Sequence, residues 1–263
     1  MSGRPCLDPG VSSVDLDSLV ARCGQLLKPE LFIDYDRAHN GLQVGNRGRV
    51  HRIAAAVDAS LATVRMAVEA KADLLLVHHG LFWGATVPWT GRRLELLRLL
   101  LEADMAVYSM HLPLDAHRTL GNAACLAKAL GLGGLKPFFL HKGRAVGWKS
   151  ATRISREELG QRLRRVLGGN VVLLPGGAGE CRNIGICTGG AGAELQQAAQ
   201  EGVDTFITGE GPHWTHALAE DAGINVFYGG HYATETFGVK ALAASLSRSF
   251  RVPWTFLDHP SGL

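Results

Sequence analysis

Short apolar runs alternate with amphipathic stretches along this chain. Residues 53–57 and 73–77 are rich in apolar side chains, and residues 61–71 between them carry apolar side chains at helical spacing. Strands that are apolar on both faces and are separated by a helix are typical of a parallel sheet whose two faces are covered. The pattern therefore predicts an α/β fold.

The same pattern returns in the second half of the chain. A shift of 131 positions (184 − 53) places residues 53–83 over residues 184–214 without a gap, with Asp73 over Asp204. A third strand and a helix are then expected in each half, at residues 105–109 and 122–130 and at residues 224–228 and 236–245. The recurrence predicts a duplicated α/β unit.

We expect one domain over residues 1–263, built of two similar halves at about 34–135 and 181–258. A short segment, residues 136–180, joins the halves. It contains a predicted helix over residues 155–167 with Ser155 as its cap. This helix carries four arginines, Arg156, Arg162, Arg164 and Arg165. They form either a solvated helix face or a contact for phosphate or nucleic acid.

The same connecting segment is rich in large apolar side chains. These residues are Phe138, Phe139, Leu140 and Trp148. They are either part of the core or exposed side chains that favour self-association. The sequence does not decide between these interpretations. If the side chains are exposed, we expect an oligomer.

Composition narrows the class of protein. Of 263 residues, 46% are hydrophobic and 19% are charged, which excludes a globally disordered chain. The net charge is 27 − 24 = +3, and the charges are scattered along the sequence. This distribution argues against a dedicated binder of nucleic acid or of an anionic membrane.

The sequence also favours a cytoplasmic protein. No apolar run approaches the roughly 18–20 residues that a bilayer-spanning helix needs. Residues 1–13 contain Pro, Gly and Asp where a signal peptide has its apolar core. The cysteines are odd in number and form no CxxC pair: Cys6, Cys23, Cys125, Cys181 and Cys187. We expect them to be reduced thiols and not ligands of a zinc ion.

Imidazoles and carboxylates follow the predicted strands at the points where the strands end. These residues are His78, His79, His111, Asp115, Glu210, His231 and Glu235. The carboxyl ends of parallel strands meet at one edge of a sheet, where α/β proteins bind ligands. Imidazole combined with carboxylate suits zinc, iron or manganese. The joint pattern predicts a metal site.

Each of these residues also has an ordinary structural interpretation. Two neighbouring histidines at a strand end are often simply hydrogen-bonded. His231 and Glu235 stand four residues apart and can form a surface pair on a helix. Asp115 can cap a helix or a turn. The metal interpretation is favoured because these separate uses would not bring all the residues to the same end of one sheet.

Several motifs together resemble the Nif-three-like family of dinuclear metal-centre proteins, whose bacterial members are commonly labelled GTP cyclohydrolase I type 2 homologues. In chain order the motifs are NGLQVG at 40–45, VHHGLFW at 77–83, HLPLDAH at 111–117, Gly121-Asn122, FITGE at 206–210 and GHYATE at 230–235. The likeness extends from about residue 34 to residue 258.

The resemblance implies a duplicated three-layer α/β/α fold that is often assembled as a homohexamer. It also implies five ligands for two divalent ions: His78, His79, Asp115, His231 and Glu235. Glu235 would bridge the ions. His111 would lie next to the ligands without binding an ion directly. Glu210 and His111 are then the candidates for moving a proton during catalysis.

Two functions follow as hypotheses. The first is a metal-dependent hydrolase that acts on a nucleotide or a related small molecule, with GTP cyclohydrolase activity as the named example. The second is a non-enzymatic, ring-forming metal-binding protein that works through protein or nucleic-acid partners. Metal-dependent turnover distinguishes the two, because only the first predicts it.

Overall fold

A computed structural model of the chain describes residues 12–83 and 87–263. The described residues form two compact units. Unit 1 contains the described residues up to Leu26, those of Asp36–Met110, and Leu242–Asp258. Unit 2 contains Leu27–Tyr35, His111–Ala241 and His259–Leu263.

Strands and helices alternate over most of the described chain. Within residues 12–83 and 87–263 the strands are β1 (Val14–Asp15), β2 (Gly41–Val44), β3 (Arg49–Val50), β4 (Ile53–Asp58), β5 (Leu74–His79), β6 (Ala106–Ser109), β7 (Lys136–His141), β8 (Arg144–Ser155), β9 (Val172–Pro175), β10 (Glu180–Ile186), β11 (Thr205–Thr208), β12 (Asn225–Tyr228) and β13 (Trp254–Phe256). The α-helices in the same ranges are α1 (Leu16–Leu27), α2 (Leu61–Glu69), α3 (Gly91–Glu102), α4 (Leu112–Asp115), α5 (Asn122–Ala129), α6 (Arg156–Leu167), α7 (Leu195–Gln200), α8 (Thr215–Ala222) and α9 (His231–Phe250). Two short 3₁₀ turns, Pro29–Leu31 and Ala191–Glu194, complete the elements of the described residues.

Unit 1 is built on a five-stranded sheet with the order β13-β4-β5-β6-β2. All neighbouring pairs are parallel except β2 with β6. The apolar runs of β4 and β5 are buried on both faces because helices cover them, and Val64 of α2 and Leu100 of α3 pack in the same core. The buried strands that the apolar runs predicted are therefore present.

Unit 2 is built on a six-stranded sheet with the order β7-β8-β10-β11-β12-β9. The central strands β10, β11 and β12 are parallel, and the outer strands pair antiparallel. Alternate residues of β11 face opposite sides: Phe206 packs in a core with Leu195 of α7, whereas Ile207 packs in a second core with Leu163 of α6. This unit has the three layers of an α/β/α fold.

The register of the strands demonstrates the duplication. In unit 1 the strand pair β4–β5 places Ile53 opposite Leu74, and in unit 2 the pair β10–β11 places Ile184 opposite Thr205. Both partners move by the same 131 positions (184 − 53 and 205 − 74). The predicted class, a duplicated three-layer α/β/α fold, is confirmed.

In each half an aspartate, buried or partly buried, accepts hydrogen bonds from two backbone N–H groups. Asp73 accepts hydrogen bonds from the backbone N–H groups of His51 (2.7 Å) and Arg52 (3.0 Å). Asp204 accepts from those of Arg182 (3.0 Å) and Asn183 (2.8 Å). Each aspartate directly precedes a strand and fixes the chain beside the neighbouring strand, so this identity between the two halves has a structural cause.

Two helices show where the sequence pattern was accurate and where it was not. Ser155 caps α6 as predicted, because its hydroxyl accepts a hydrogen bond from Glu158 N at 3.1 Å. The last helix, α9, begins at His231, five residues earlier than predicted (236 − 231). Gly230 makes the turn that precedes it with a φ of 93°, which glycine adopts readily. His231 and Glu235 are therefore residues of the same helix.

The apolar side chains of residues 136–180 are largely core residues. Phe138, Phe139 and Trp148 are buried in unit 2, whereas Leu140 is exposed. Three of the four do not offer an apolar surface for self-association. The segment itself supplies strands β7, β8 and β9 of the six-stranded sheet.

The membrane and cysteine predictions can be compared with the described residues. Among residues 12–83 and 87–263, no helix has both the length and the apolar character that crossing a bilayer requires. Cys23, Cys125, Cys181 and Cys187 are free thiols, and Cys6 lies outside the described residues. Burial raises the pKa of Cys23 to about 12, so this thiol stays protonated at neutral pH.

Candidate metal centre

Unit 1 presents His78 and His79 at the end of β5. Neighbouring residues of a regular strand point to opposite faces, but here the two imidazole rings turn toward each other. Their centroids are 4.8 Å apart, with an angle of 44° between the planes. His78 is fully buried and His79 is partly exposed. The strand end thus brings together two side chains of a type that can bind a metal ion.

Both rings are held through the same nitrogen atom. His78 Nδ1 lies 3.0 Å from the carbonyl oxygen of Met110, and His79 Nδ1 lies 2.9 Å from Asp58 Oδ1. A carbonyl oxygen only accepts hydrogen bonds, so Nδ1 of His78 carries the proton. The lone pair of the ring is then on Nε2, the atom with which such a histidine binds a metal.

Unit 2 presents His111 and Asp115 at the two ends of a short helical turn that contains α4. His111 Nδ1 lies 2.7 Å from Oδ1 of Asp34, whose side chain is largely buried, and Asp34 Oδ2 accepts a second hydrogen bond from Leu112 N at 3.2 Å. Asp115 is buried and accepts a hydrogen bond from Asn122 Nδ2 at 2.8 Å. A long-range hydrogen bond therefore fixes His111, and a local one fixes Asp115.

The second imidazole–carboxylate pair of unit 2 lies on the first turns of α9. His231 Nε2 is 3.2 Å from Glu235 Oε2, and His231 Nδ1 is 2.7 Å from Glu210 Oε1. Glu235 is almost completely buried, which excludes a surface ion pair. The hydrogen bond to Glu235 is the main cause that raises the pKa of His231 to about 9, against the opposing effect of burial.

A glycine allows the backbone to pack against this pair. Gly189 follows β10 with a φ of 70°, and its N–H donates to Thr234 Oγ1 at 3.1 Å. A Cβ atom at this position would overlap Oε1 of Glu235 and lie 3.3 Å from His231 Nε2. Only glycine leaves room here for the carboxylate.

The donor atoms fit a divalent metal ion. The candidate ligand atoms are the ring nitrogens of His78 and His79 in unit 1 and, in unit 2, those of His111 and His231 together with a carboxylate oxygen of the buried Glu235. Buried carboxylates such as Asp115 and Glu235 are costly unless a charge or hydrogen bonds compensate them. Mixed nitrogen and oxygen donors are those that zinc, iron and manganese accept.

All of the predicted site residues are in described parts of the chain. Unit 1 contains His78 and His79, and unit 2 contains His111, Asp115, Glu210, His231 and Glu235. The sequence assigned no supporting role to Asp34, Asp58 and Asn122, which hold these side chains, or to Gly189, which leaves room for Glu235. Asp58 could have been found, because it directly follows a predicted strand. Asp34 could not, because it lies 77 residues before its partner His111.

Two arginines of the basic helix α6 have partners within unit 2. Arg162 Nη1 donates to the carbonyl oxygen of Leu130 at 3.1 Å, and Arg156 Nη1 donates to Asn225 Oδ1 at 3.2 Å. Arg164 and Arg165 are exposed. The helix therefore uses half of its arginines to hold unit 2 together.

The chain is similar to known proteins over nearly its whole length. The sequence profile of the family described as Duf34/NIF3 (NGG1p interacting factor 3) matches residues 14–261. A relative from Deinococcus radiodurans, named GTP cyclohydrolase 1 type 2 homolog, is 38% identical over 100% of both chains. A relative of the same name from Halobacterium salinarum is 41% identical over 95% of this chain and 100% of its own. The crystal structure of a Thermus thermophilus protein has a TM-score of 0.88 and 39% identity, covering 95% of this chain and 100% of that one. These similarities confirm the family resemblance that the motifs predicted.

Proposed function

The chain belongs to the Duf34/NIF3 family, and from this premise we propose that it is a metal-dependent hydrolase with a dinuclear metal centre. The ligands are His78, His79, Asp115, His231 and Glu235. The observation that carries the proposal is the arrangement of the imidazoles. His78, His79 and His231 are each held through Nδ1 by an oxygen atom, at 3.0, 2.9 and 2.7 Å, which directs Nε2 to be the ligand atom.

Hydrogen bonds within the protein hold Asp115 of the proposed ligand set. Asn122 donates to Asp115 at 2.8 Å, and its own Oδ1 accepts from Gly238 N at 2.6 Å. This pair of bonds ties Asp115 to α9, the helix that carries His231 and Glu235. A preorganised ligand set loses little conformational entropy on binding.

Divalent ions held by these residues would supply Lewis acidity and would lower the pKa of a water molecule toward neutrality, which is the chemistry that hydrolysis requires. The protein moves the proton through Glu210 or His111. Glu210 is partly exposed and bonds His231 with Oε1, so that Oε2 can accept a proton. His111 is fixed by Asp34, so its Nε2 is the atom that exchanges protons.

The substrate class follows from the names of the relatives. Both curated relatives described above are named GTP cyclohydrolase 1 type 2 homolog, so a nucleotide or a related small molecule is the proposed substrate. We extend the proposal to a cytoplasmic homo-oligomer, a hexamer by family resemblance. The ions are zinc, iron or manganese.

A screen of metal-reconstituted protein tests this function. Nucleotides, phosphoesters and cyclic amides are offered to the wild type and to Glu235→Gln, which keeps the shape of the side chain but removes its charge. The proposal predicts turnover of at least one compound by the wild type and at least a hundredfold loss in the variant, roughly the effect of losing a metal-assisted step. Turnover that is equal in both proteins would contradict it.

The exposed arginines of α6 favour a second candidate, a metal-binding protein that acts through nucleic acid without turnover. Arg164 and Arg165 extend from unit 2 into solvent. This candidate predicts binding of RNA or DNA that weakens steeply with salt. It further predicts that the double variant Arg164→Ala/Arg165→Ala weakens binding, while Arg182→Ala, at an exposed arginine paired with Glu180, does not.

A further inference from the structure

Asp58 lies outside the proposed ligand set but bonds one of its members. The last residues of β4 and β5 are opposite each other, with Asp58 and His79 as partners in the parallel register. Their side chains are on the same side of the sheet, and Asp58 Oδ1 lies 2.9 Å from His79 Nδ1. The backbone closes the same end of the strands, because Ala59 N donates to the carbonyl oxygen of His79 at 2.8 Å. The contact is thus built into the sheet.

The same kind of contact occurs at two other histidines of the site. In unit 2, Asp34 bonds Nδ1 of His111 at 2.7 Å and Glu210 bonds Nδ1 of His231 at 2.7 Å. In the duplicated halves Glu210 takes the position of His79 (79 + 131 = 210), whereas Gly189 takes the position of Asp58 (58 + 131 = 189), so the second contact is made by a different pair of strand ends. Different acids make the same contact with different histidines, which indicates that each of these three imidazoles needs a carboxylate at its Nδ1 atom.

The chemical effect of such a contact is specific. A carboxylate that accepts a hydrogen bond from Nδ1–H fixes the ring orientation, selects the tautomer with its lone pair on Nε2 and makes Nε2 a stronger donor to a metal. We propose that Asp58 is a positioning residue that prepares His79 for metal binding. This inference rests on the proposed function, because it assumes that His79 is a ligand.

Replacing Asp58 by a residue without a carboxylate tests the inference, and the probe is Zn²⁺ alone. The affinity of metal-free protein for Zn²⁺ is measured by competition with a chelator. Asp58→Ala is expected to bind zinc about 10–100-fold more weakly than the wild type. Asp58→Asn should lose less, because its amide oxygen can still accept from Nδ1–H. The control is Asp15→Asn, since Asp15 is an exposed carboxylate of the same unit that pairs with Arg49 at 2.6 Å; its affinity should equal that of the wild type.

A second measurement separates positioning from a general loss of structure. Long-range ¹H–¹⁵N spectra of metal-free protein report which nitrogen of His79 carries the proton. The wild type and Asp58→Asn should show the Nδ1–H tautomer, and Asp58→Ala should show a substantial fraction of Nε2–H. Thermal unfolding of the three proteins shows that each is folded.

The outcomes distinguish the inference from the proposed function. Equal zinc affinity in the wild type and Asp58→Ala, or an unchanged tautomer, would overturn the role of Asp58. A wild type that binds no zinc, iron or manganese would overturn the proposed function itself. Weaker zinc binding in Asp58→Ala together with the tautomer change supports the role of Asp58 as a positioning residue.

Discussion

Replacing Glu235 by Gln should reduce the pH dependence of folding in the metal-free protein. The hydrogen bond to Glu235 is the largest cause that raises the pKa of His231 from its usual 6.5 to about 9. The folded chain therefore retains a proton on His231 that the unfolded chain releases above pH 6.5. The resulting stabilisation is complete below pH 6.5 and is lost as the pH rises through 9.

The size of the effect follows from the two pKa values. Each pKa unit corresponds to 1.36 kcal/mol, so the difference between 6.5 and about 9 amounts to about 3 kcal/mol. Because the His231 side chain is 30% exposed, solvent screens part of the interaction and this figure is an upper value. The neutral amide of Gln removes the charge of Glu235 and leaves only the contribution of Glu210.

Urea unfolding in the presence of a chelator, at pH 6 and at pH 9, measures this difference. Between the two pH values the wild type should lose about 1–2 kcal/mol more stability than Glu235→Gln, because the contribution of Glu210 remains in the variant. The matched control is Glu220→Gln, which changes an exposed His–Glu pair at the same i,i+4 spacing, with 3.9 Å between His216 and Glu220. Its pH dependence should follow the wild type. If Glu235→Gln also follows the wild type, the reasoning about His231 is refuted.

Three further substitutions test the packing beside Glu235, the cap of α6 and the core of unit 1. Gly189→Ala should lower the free energy of unfolding by about 1–3 kcal/mol and reduce the metal content, because its Cβ would overlap Glu235 at a φ of 70°; unchanged metal content would contradict the tight packing. Ser155→Ala should cost about 1 kcal/mol in urea unfolding through loss of the cap of α6, and a change below a few tenths would argue against that cap. Leu76→Ala should cost about 2–5 kcal/mol, because Leu76 is fully buried in β5; a smaller loss in calorimetry would mean that the core closes around the cavity.

The parts of the fold that the sequence predicted are those with a strong local signal. Strands β4, β5 and β6 are apolar on both faces and lie between helices, so hydrophobic runs identify them. The register between β4 and β5 repeats in unit 2 because the sequence repeats, which made the duplication visible. The start of α9 was missed because its first five residues, which include the candidate ligands His231 and Glu235, show no helical spacing of apolar side chains.

Contacts between distant residues were beyond the reach of sequence patterns. Asp34 stands 77 residues before His111, and no spacing rule connects an acid in an N-terminal loop with that histidine. Asp58 lies beside His79 because of the register between β4 and β5, and the sequence alone does not specify that register. Gly189 leaves room for the buried carboxylate of Glu235, and no local pattern in the sequence connects these two residues.

Metal analysis of purified protein tests the central claim most directly. Elemental content is compared for the wild type, His231→Ala, Glu235→Gln and the control Glu220→Gln, all folded by circular dichroism. The wild type and Glu220→Gln should contain about two divalent ions per chain, the number that a two-metal site holds, and the two site variants should contain much less. Equal metal content in all four proteins would contradict the assignment of these residues as ligands.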